Sequence, residues 1–311
     1  MSGTSRPAVV HVHAPTERRN PDTTTIDQLD ALGVLRAINN QDATVPGAVA
    51  AVLPELARLV DLAVAALRAG HRVHYVGAGT SGRLAVLDVA ELVPTFNIPA
   101  DWFVAHPAGG PTALLAAVEG AEDDDEAGAL EMERHVRRGD VVVGLAASGR
   151  TPFVLGALAA ARRIGAPTAL VSADPNAEAN QLVDVPIAVD TGPEAIAGST
   201  RMKAGTAQKL VLTAFSTAVM VRFGRTYSNL MVSLRATNAK LRGRTLRILR
   251  EASGASERDC ADALSDADGD LKVALVRLLS GTDVGRATAA LDRAKGHVRT
   301  ALAALGPATA T

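Results

Sequence analysis

From Val73 to Val189 the sequence alternates short apolar runs with segments of helical spacing. The apolar runs are Val73–Val76, Trp102–Ala105, Val141–Leu145, Ala169–Ser172 and Val185–Val189. Strands that are apolar along their whole length must be covered on both faces, and a crossover helix between successive strands makes them parallel. The pattern therefore predicts an α/β fold, a five-stranded parallel sheet flanked by helices. Helical segments are expected near Arg83–Leu92, Thr112–Val118, Pro152–Ile164 and Asn176, with Pro94 ending the first and Gly165 capping the third. Ligands of such sheets bind at the carboxyl ends of the strands. The loops after Val76, Ala105, Leu145 and Val189 are thus where chemistry is to be sought.

The flanking regions read as helical. One helix is expected over Ile26–Ile38, and Thr44 with Pro46 marks the start of a longer one over Val45–Ala69. Pro54 predicts a kink or restart in it, and Gly70 a stop. Two long helices are expected over Thr200–Arg222 and Tyr227–Glu251. Residues 255–305 read as three or four short helices, a small bundle of ubiquitin-associated-like type. Residues 1–25 form a Pro/Thr/Arg-rich leader, expected to be mobile unless a partner orders it. His11 and His13 in it read as part of a polar tail rather than as a metal pair, since no other ligand-rich cluster is evident. The organisation expected is thus a leader over 1–25, a main domain over 26–250 with its core at about 63–226, and a helical domain over 251–311.

Composition removes several function classes. The 311 residues carry 32 Lys+Arg against 33 Asp+Glu, so no global charge draws the chain to nucleic acid or to an anionic membrane. Aromatics at 3% argue against a base-stacking platform, and leave a core of Ala, Val and Leu. No run reaches the ~18–20 apolar residues of a membrane helix, and the N-terminal region shows no apolar stretch after a basic start. Cys260 is the only cysteine, which excludes an intramolecular disulfide and fits a reducing compartment, the cytoplasm.

The first loop, Gly77-Ala78-Gly79-Thr80-Ser81-Gly82-Arg83, matches G-x-G-x-x-G between a strand and a helix. Alone that pattern also fits a dinucleotide site. Two features turn it toward a phosphate monoester. Thr80 and Ser81 are vicinal hydroxyls, and the loop after Leu145 repeats the chemistry in Ser148-Gly149-Arg150-Thr151. Two Ser-Gly-Arg turns feeding helix N-termini make a cradle of N–H groups, hydroxyls and helix dipoles. Glu91 lies at the end of the helix that follows the first loop, and Glu119 and Glu122 follow Gly109-Gly110. Carboxyl groups in different environments can divide acid and base work, although the run Asp123–Glu126 reads as solvated surface. Ser199, Thr200, Lys203 and Lys209 open another long helix and make a third anion-friendly N-terminus.

Taken together, these segments resemble the N-acetylmuramic acid 6-phosphate etherase family of sugar-isomerase (SIS) domain proteins. The segments that carry the resemblance are Thr16-Glu17 with Asn20, Ile38–Asp42, GAGTSGRL at 77–84, Glu91 with Pro94-Thr95-Phe96, and VEGAEDD at 118–124. They continue with AASGRTPFV at 146–154, Gly192-Pro193-Glu194, GSTRMKAGTAQKLVL at 198–212, Asn229–Val232 and ATNAKL at 236–241. The resemblance implies a cofactor-free lyase that cleaves the D-lactyl ether of N-acetylmuramate 6-phosphate to N-acetylglucosamine 6-phosphate and D-lactate. The implied route is ring opening, elimination across C2–C3, and water addition at C3. It places the leaving-group acid on Glu91 and the C2 base on Glu122. By SIS analogy it places phosphate contacts on Thr80, Ser81, Ser148, Gly149 and Thr151, with Ser199, Thr200 and Lys203 completing the pocket. It also implies a homodimer with the site near the subunit interface. The chain departs from the family pattern at Leu92-Val93, where Cys-Pro is usual, and at Ser233, where Asp is usual. Two other readings share the fold: a sugar-phosphate isomerase, which needs no acid for an ether oxygen, and a non-catalytic sugar-phosphate sensor. The ~25 residues before the first helix are too few for a helix-turn-helix reader.

Overall fold

A computed structural model describes residues 14–234, 236 and 239–306. The chain divides into two compact units. The first comprises residues up to Leu59, His74–Ala85 and Ala105–Leu212; the second comprises Val60–Val73, Val86–Val104 and Thr213 onward.

The elements follow in the order α1 (Ala31–Asp42), α2 (Val45–Ala50), α3 (Leu53–Arg68), β1 (Val73–Gly77), α4 (Gly79–Phe96) and β2 (Phe103–Pro107). Then come α5 (Asp125–His135), β3 (Val141–Leu145), α6 (Pro152–Ile164), β4 (Thr168–Ser172), β5 (Val185–Ala188) and α7 (Lys203–Arg222). The five strands form one sheet in the order β2-β1-β3-β4-β5. Val143 pairs with Ala169 and Val171 with Ile187 in parallel register. β1, β3 and β4 are buried at every position, whereas β2 and β5 are only partly so. That difference is what the order requires, because β2 and β5 are the edges. The five-stranded parallel sheet is therefore as the apolar runs predict.

The helices α5 and α6 approach closely in the first unit. A Cβ on Gly128 would fall 1.9 Å from the Phe153 carbonyl oxygen, and one on Gly156 would fall 2.0 Å from that of Asp125. Met132 of α5, and Val154, Ala157, Leu158 and Ala161 of α6, pack beneath this contact with Val142 and Leu170 of the sheet. Two glycines thus set the distance between two helices.

Several local expectations are corrected. Residues 14–25 are not a loose leader: Ala14, Thr16, Asn20 and Thr23 are buried. The Gly198 N–H donates to the Thr16 carbonyl at 2.9 Å, and Thr23 Oγ1 donates to the Ala195 carbonyl at 2.8 Å. Residues 1–13, with His11 and His13, lie outside the described residues. The expected 26–38 helix is a 3-10 turn at Ile26–Gln28 followed by α1, which Asp30 caps at Gly33 N. At Pro54 the chain restarts rather than kinks, with α2 ending at Ala50 and α3 beginning at Leu53. Pro94 does not end α4; it falls in the last turn, and Asn97 with φ 49° ends the helix. A proline near a helix end removes one hydrogen bond, and Ala90, whose carbonyl is freed, is exposed to water. Thr112–Val118 forms only a 3-10 turn at Gly110–Leu114, because Gly109 and Gly110 are left-handed and Leu115 is 96% exposed, leaving no stripe to bury.

In the second unit the expected Tyr227–Glu251 helix is a short hairpin, β6 (Thr226–Tyr227) and β7 (Leu230–Met231), turned at Ser228 with φ 52°. α8 (Ala239–Ser253) follows. Four short helices complete the described chain: α9 (Glu257–Asp266), α10 (Leu271–Ser280), α11 (Val284–Arg293) and α12 (Val298–Leu305). Ser256, Asp270 and Asp283 accept hydrogen bonds from the first turns of α9, α10 and α11. Leu249 of α8, Cys260, Leu275, Leu291 and Ala301 belong to one apolar cluster, which Val232 and Leu234 also join. The helical core therefore begins before residue 251.

Replacing Gly128 by Ala should force α5 away from α6 and cost about 1–3 kcal/mol. Gly156→Ala should cost a similar amount. The double variant should lose less than the sum, since either substitution relieves the same crossing. Urea denaturation of the three variants measures this. Parent-like stability in Gly128→Ala would show that the contact is not tight.

Candidate functional site at the sheet switch point

β1 runs through α4 to β2 on one side of the sheet, and β3 runs through α6 to β4 on the other. The two loops diverge between neighbouring strands, and such a point opens a crevice outside the carboxyl ends. Both Ser-Gly-Arg loops flank it.

The first loop is held by close backbone approach. A Cβ at Gly77 would lie 2.9 Å from Gly82 N, and one at Gly82 would lie 2.7 Å from the Gly77 carbonyl oxygen. The first turn of α4 thereby folds directly onto the end of β1. Ser81 is 8% exposed and its Oγ donates to Gln208 Oε1 of α7 at 2.8 Å. Gly205 of α7 admits Thr80, whose Cγ2 would be 3.5 Å from a Cβ there. Gln208 Nε2 remains a buried donor with no hydrogen-bond partner.

In the second loop Gly149 has φ 68°, and a Cβ would lie 2.5 Å from Ala177 Cβ, so only glycine fits. Ser148 is half-buried and its Oγ accepts from Arg150 N at 3.2 Å. Thr151 is the N-cap of α6 and makes no side-chain capping bond. Pro152 carries no N–H, and the Phe153, Val154 and Leu155 N–H groups donate to the Glu122 and Thr151 carbonyls, so the helix start is already paired and the loop offers a ligand its Ser148 and Thr151 hydroxyls.

Glu122 is tied to the same place by its backbone. Its carbonyl accepts from Phe153 N, in the first turn of α6, at 3.0 Å. Its side chain is exposed and lines a cavity of about 210 Å³ with Gly79, Arg83 and Glu119. Arg83 steadies the far wall, donating through Nε to the Leu114 carbonyl at 3.2 Å and through Nη2 to that of Ala116 at 3.3 Å. Thr80, Ser81 and the first turns of α7 are therefore gathered at one loop, and Glu122 is gathered with the other. Glu91 stands, exposed, on the part of α4 that belongs to the second unit.

The third element differs from its reading as an anion seat. Ser199 and Thr200 are half-buried, and their carbonyls accept from Met202 N and Gly205 N. Glu194, fully buried, accepts from Lys203 N at 2.8 Å and Ala204 N at 3.0 Å. A carboxylate of the chain itself thus fills the N-terminus of α7. Burial pushes the Glu194 carboxyl above the ordinary carboxylate value, against those two N–H groups and the Lys203 charge, which pull it down. Lys203 is also buried, and its Nζ donates to Gln41 Oε1 at 3.1 Å, where Asn20 Nδ2 donates as well at 2.7 Å. Burial lowers the Lys203 ammonium from its ordinary value, against Glu194 and nearby aspartates. Glu194, Gln41 and Gln208 were not legible as site residues. They act across the fold, nine or more positions from what they touch, and no local spacing marks them.

The profile of the glucokinase regulatory protein N-terminal SIS domain matches residues 55–162. A curated N-acetylmuramic acid 6-phosphate etherase of Thermobifida fusca is 62% identical over 269 residues, covering 86% of this chain and 88% of that protein. The chain belongs to the N-acetylmuramic acid 6-phosphate etherase family. The etherase of Pectobacterium atrosepticum is 49% identical over 288 residues, 92% of this chain and 95% of that one. Among solved structures, a phosphoheptose isomerase from Francisella tularensis aligns with a TM-score of 0.49 at 16% identity, over 61% of this chain and 98% of that one. Two positions where this chain departs from the etherase pattern have clear structural places. Leu92 is buried at 3% exposure, and Ser233 Oγ donates to the Arg225 carbonyl at 3.3 Å.

Glu194→Gln keeps the shape but turns an NH₂ group toward one of the two N–H groups it now accepts from. The change should cost about 1–3 kcal/mol of stability, read by chemical denaturation. An unchanged midpoint would show that the carboxylate does not hold the start of α7.

Proposed function

We propose that this chain is a lyase that cleaves the D-lactyl ether of N-acetylmuramate 6-phosphate, giving N-acetylglucosamine 6-phosphate and D-lactate. The observation that carries the reading is the joint placement of two hydroxyl-bearing helix N-termini and Glu122 at the switch point of a chain 62% identical to an etherase. The second loop, with Ser148, Gly149 and Thr151, suits the phosphate dianion through its hydroxyls and the dipole of α6, and Thr80 and Ser81 of α4 border it. Of the third element, Ser199 and Thr200 remain near this edge. Lys203 contributes by holding Gln41 and the α7 terminus rather than by meeting phosphate directly.

The chemistry needs two proton movements. In the open-chain form the C1 aldehyde acidifies the C2 proton, which Glu122 removes. The electrons form the C2–C3 double bond and expel the ether oxygen, to which Glu91 gives a proton, releasing D-lactate. Water then adds at C3 and a proton returns to C2. Each step is acid–base work that carboxyl groups can do. An isomerase would need the same base and cradle, but would not release lactate.

We also place the active form as a homodimer. Two exposed faces support this. α1 has no buried residue, and presents Leu32 at 53% and Leu35 at 64% exposure. Leu87, Ala90, Glu91 and Pro94 share one exposed face of α4. A cytoplasmic location is supported by the unpaired Cys260 and by a doubly charged substrate that does not cross a bilayer unaided. No helix among the described residues is long and apolar enough to cross a membrane.

Incubation with N-acetylmuramate 6-phosphate in the presence of EDTA should release D-lactate. Glu91→Gln should slow release by ~10²–10⁴-fold yet still place deuterium at C2 of recovered substrate in heavy water. Glu122→Gln should lose both exchange and elimination. Parent-rate lactate release by both variants would move the site elsewhere, and no release by the parent would overturn the substrate.

The double variant Leu32→Glu/Leu35→Glu should elute as a monomer in size-exclusion chromatography with light scattering, where the parent elutes as a dimer. A parent that is itself monomeric, or a double variant that stays dimeric, would remove α1 from the interface.

A further inference from the structure

A second cluster of titratable groups lies in the first unit and takes no part in the chemistry above. His106 on β2 faces Glu131 and His135 on α5, and one donor atom from each of the three lies within 4.8 Å of the others. His106 Nδ1 is 2.8 Å from Glu131 Oε1, and His135 Nδ1 is 3.4 Å from the same oxygen. Behind His106 the contacts continue inward. Its Nε2 is 2.9 Å from His74 Nδ1, and His74 Nε2 is 3.3 Å from Asp140 Oδ2. That oxygen also accepts from Arg137 N at 2.7 Å.

Counting hydrogens along this chain is informative. Asp140···His74, His74···His106 and His106···Glu131 are three contacts, and two neutral imidazoles carry two N–H groups between them. One contact must therefore set a lone pair against a lone pair unless a third proton or a metal cation enters. When Asp140 accepts from His74 Nε2, His74 Nδ1 accepts from His106 Nε2, and His106 Nδ1 presents its lone pair to Glu131 and His135. This is how outer carboxylates and histidines fix the tautomer and ring orientation of metal-ligating histidines.

We propose that His106, Glu131 and His135 bind one divalent transition-metal ion of the Zn²⁺ type. Two imidazoles and a carboxylate suit borderline ions such as Zn²⁺ and Co²⁺, whereas Mg²⁺ and Ca²⁺ take oxygen ligands. The 2.8 Å contact of His106 Nδ1 with Glu131 Oε1 is on the scale of the edge of a tetrahedral site, for bonds of about 2.0–2.2 Å, while His135 Nδ1 donates to the Glu131 carbonyl at 2.9 Å and leaves Nε2 as its ligand atom. A fourth position would be left to water. The site is open to solvent on the side of His135, whose side chain is 48% exposed, and closed behind His106 at 2%. Burial lowers the His106 imidazole from its ordinary value, although Glu131 pulls it up, and His135 lowers it further.

The test uses the full chain without an affinity tag, stripped with EDTA and exchanged into metal-free buffer near neutral pH. Titration with Co²⁺ should give visible d–d absorption saturating at about one ion per chain, and Zn²⁺ should displace it. His135→Ala and Glu131→Gln, checked for folding by circular dichroism, should each weaken binding by about tenfold or more. His74→Gln, which alters only the residue behind His106, should weaken it while leaving the stoichiometry unchanged. A His11→Ala/His13→Ala double variant should bind as the parent does. Absence of saturable Co²⁺ absorption would leave the network completed by a proton and overturn the proposal. Binding that survives both His135→Ala and Glu131→Gln, or that is lost in the His11/His13 variant, would overturn it as well. Lactate release plays no part in this readout, so the metal site and the etherase reading fail separately.

Discussion

Helices that open at the carboxyl edge of a parallel sheet bring unpaired N–H groups to one place, and something must accept from them. In this chain the acceptors differ from helix to helix, and the difference sorts the edge into parts. At α7 the buried Glu194 carboxylate takes the N–H groups of Lys203 and Ala204. That terminus is structural, and an incoming anion would have to displace a carboxylate held by two short bonds. At α6 no side chain caps the helix, since Thr151 makes no capping bond and Ser148 accepts only from Arg150 N. α7 is thus closed by a side-chain carboxylate and α6 by main-chain carbonyls of Glu122 and Thr151. The α7 terminus then works as a strut for the first loop, through Gln208 on Ser81 and through the space that Gly205 leaves for Thr80.

Strands were the most legible elements because burial on both faces leaves continuous apolar runs, and the five runs lie on the five strands. The glycine turns were legible for a related reason: Gly77, Gly82 and Gly149 stand where a Cβ would strike backbone or a neighbouring side chain. Helices with little apolar stripe were not. α5 begins in an acidic run that reads as plain surface, yet Asp124 caps it at Ala127 N and the acids of its first turn favour its positive end. Its packing comes from Gly128 rather than from a large side chain, and a glycine leaves no hydrophobic signal. The Tyr227–Leu234 stretch misled in the opposite sense. Tyr227, Leu230, Met231 and Leu234 recur at helical spacing, but the left-handed Ser228 bends them into a hairpin whose residues join a helical core.

The buried polar groups follow one rule at two places. Lys203 with Glu194, and His74 with Asp140, are each pairs that would be costly alone in the interior and are tolerable together because further polar atoms complete them. Gln41 and Asn20 complete the first, which also fixes residues 14–25 against the chain near Pro193. The Arg137 N–H and His106 complete the second. Apart from Arg137, three positions from Asp140, these partners lie nine or more positions apart in sequence. A reader of the sequence sees a lone asparagine, a glutamine and scattered histidines, each of which has a bland local reading.

The two carboxyl groups proposed for catalysis are placed by different means. Glu122 has its backbone fixed by Phe153 N and its exposed side chain at the rim of a cavity with mixed polar and apolar walls. Glu91 stands on an exposed helix face between Leu87, Ala90 and Pro94, which are largely apolar. In the proposed homodimer, a second copy over that face would withdraw the carboxyl from water among apolar groups. On the proposed assembly, the interface over α4 would also enclose the Glu91 carboxyl, so the dimer and the acid are proposals about one and the same surface.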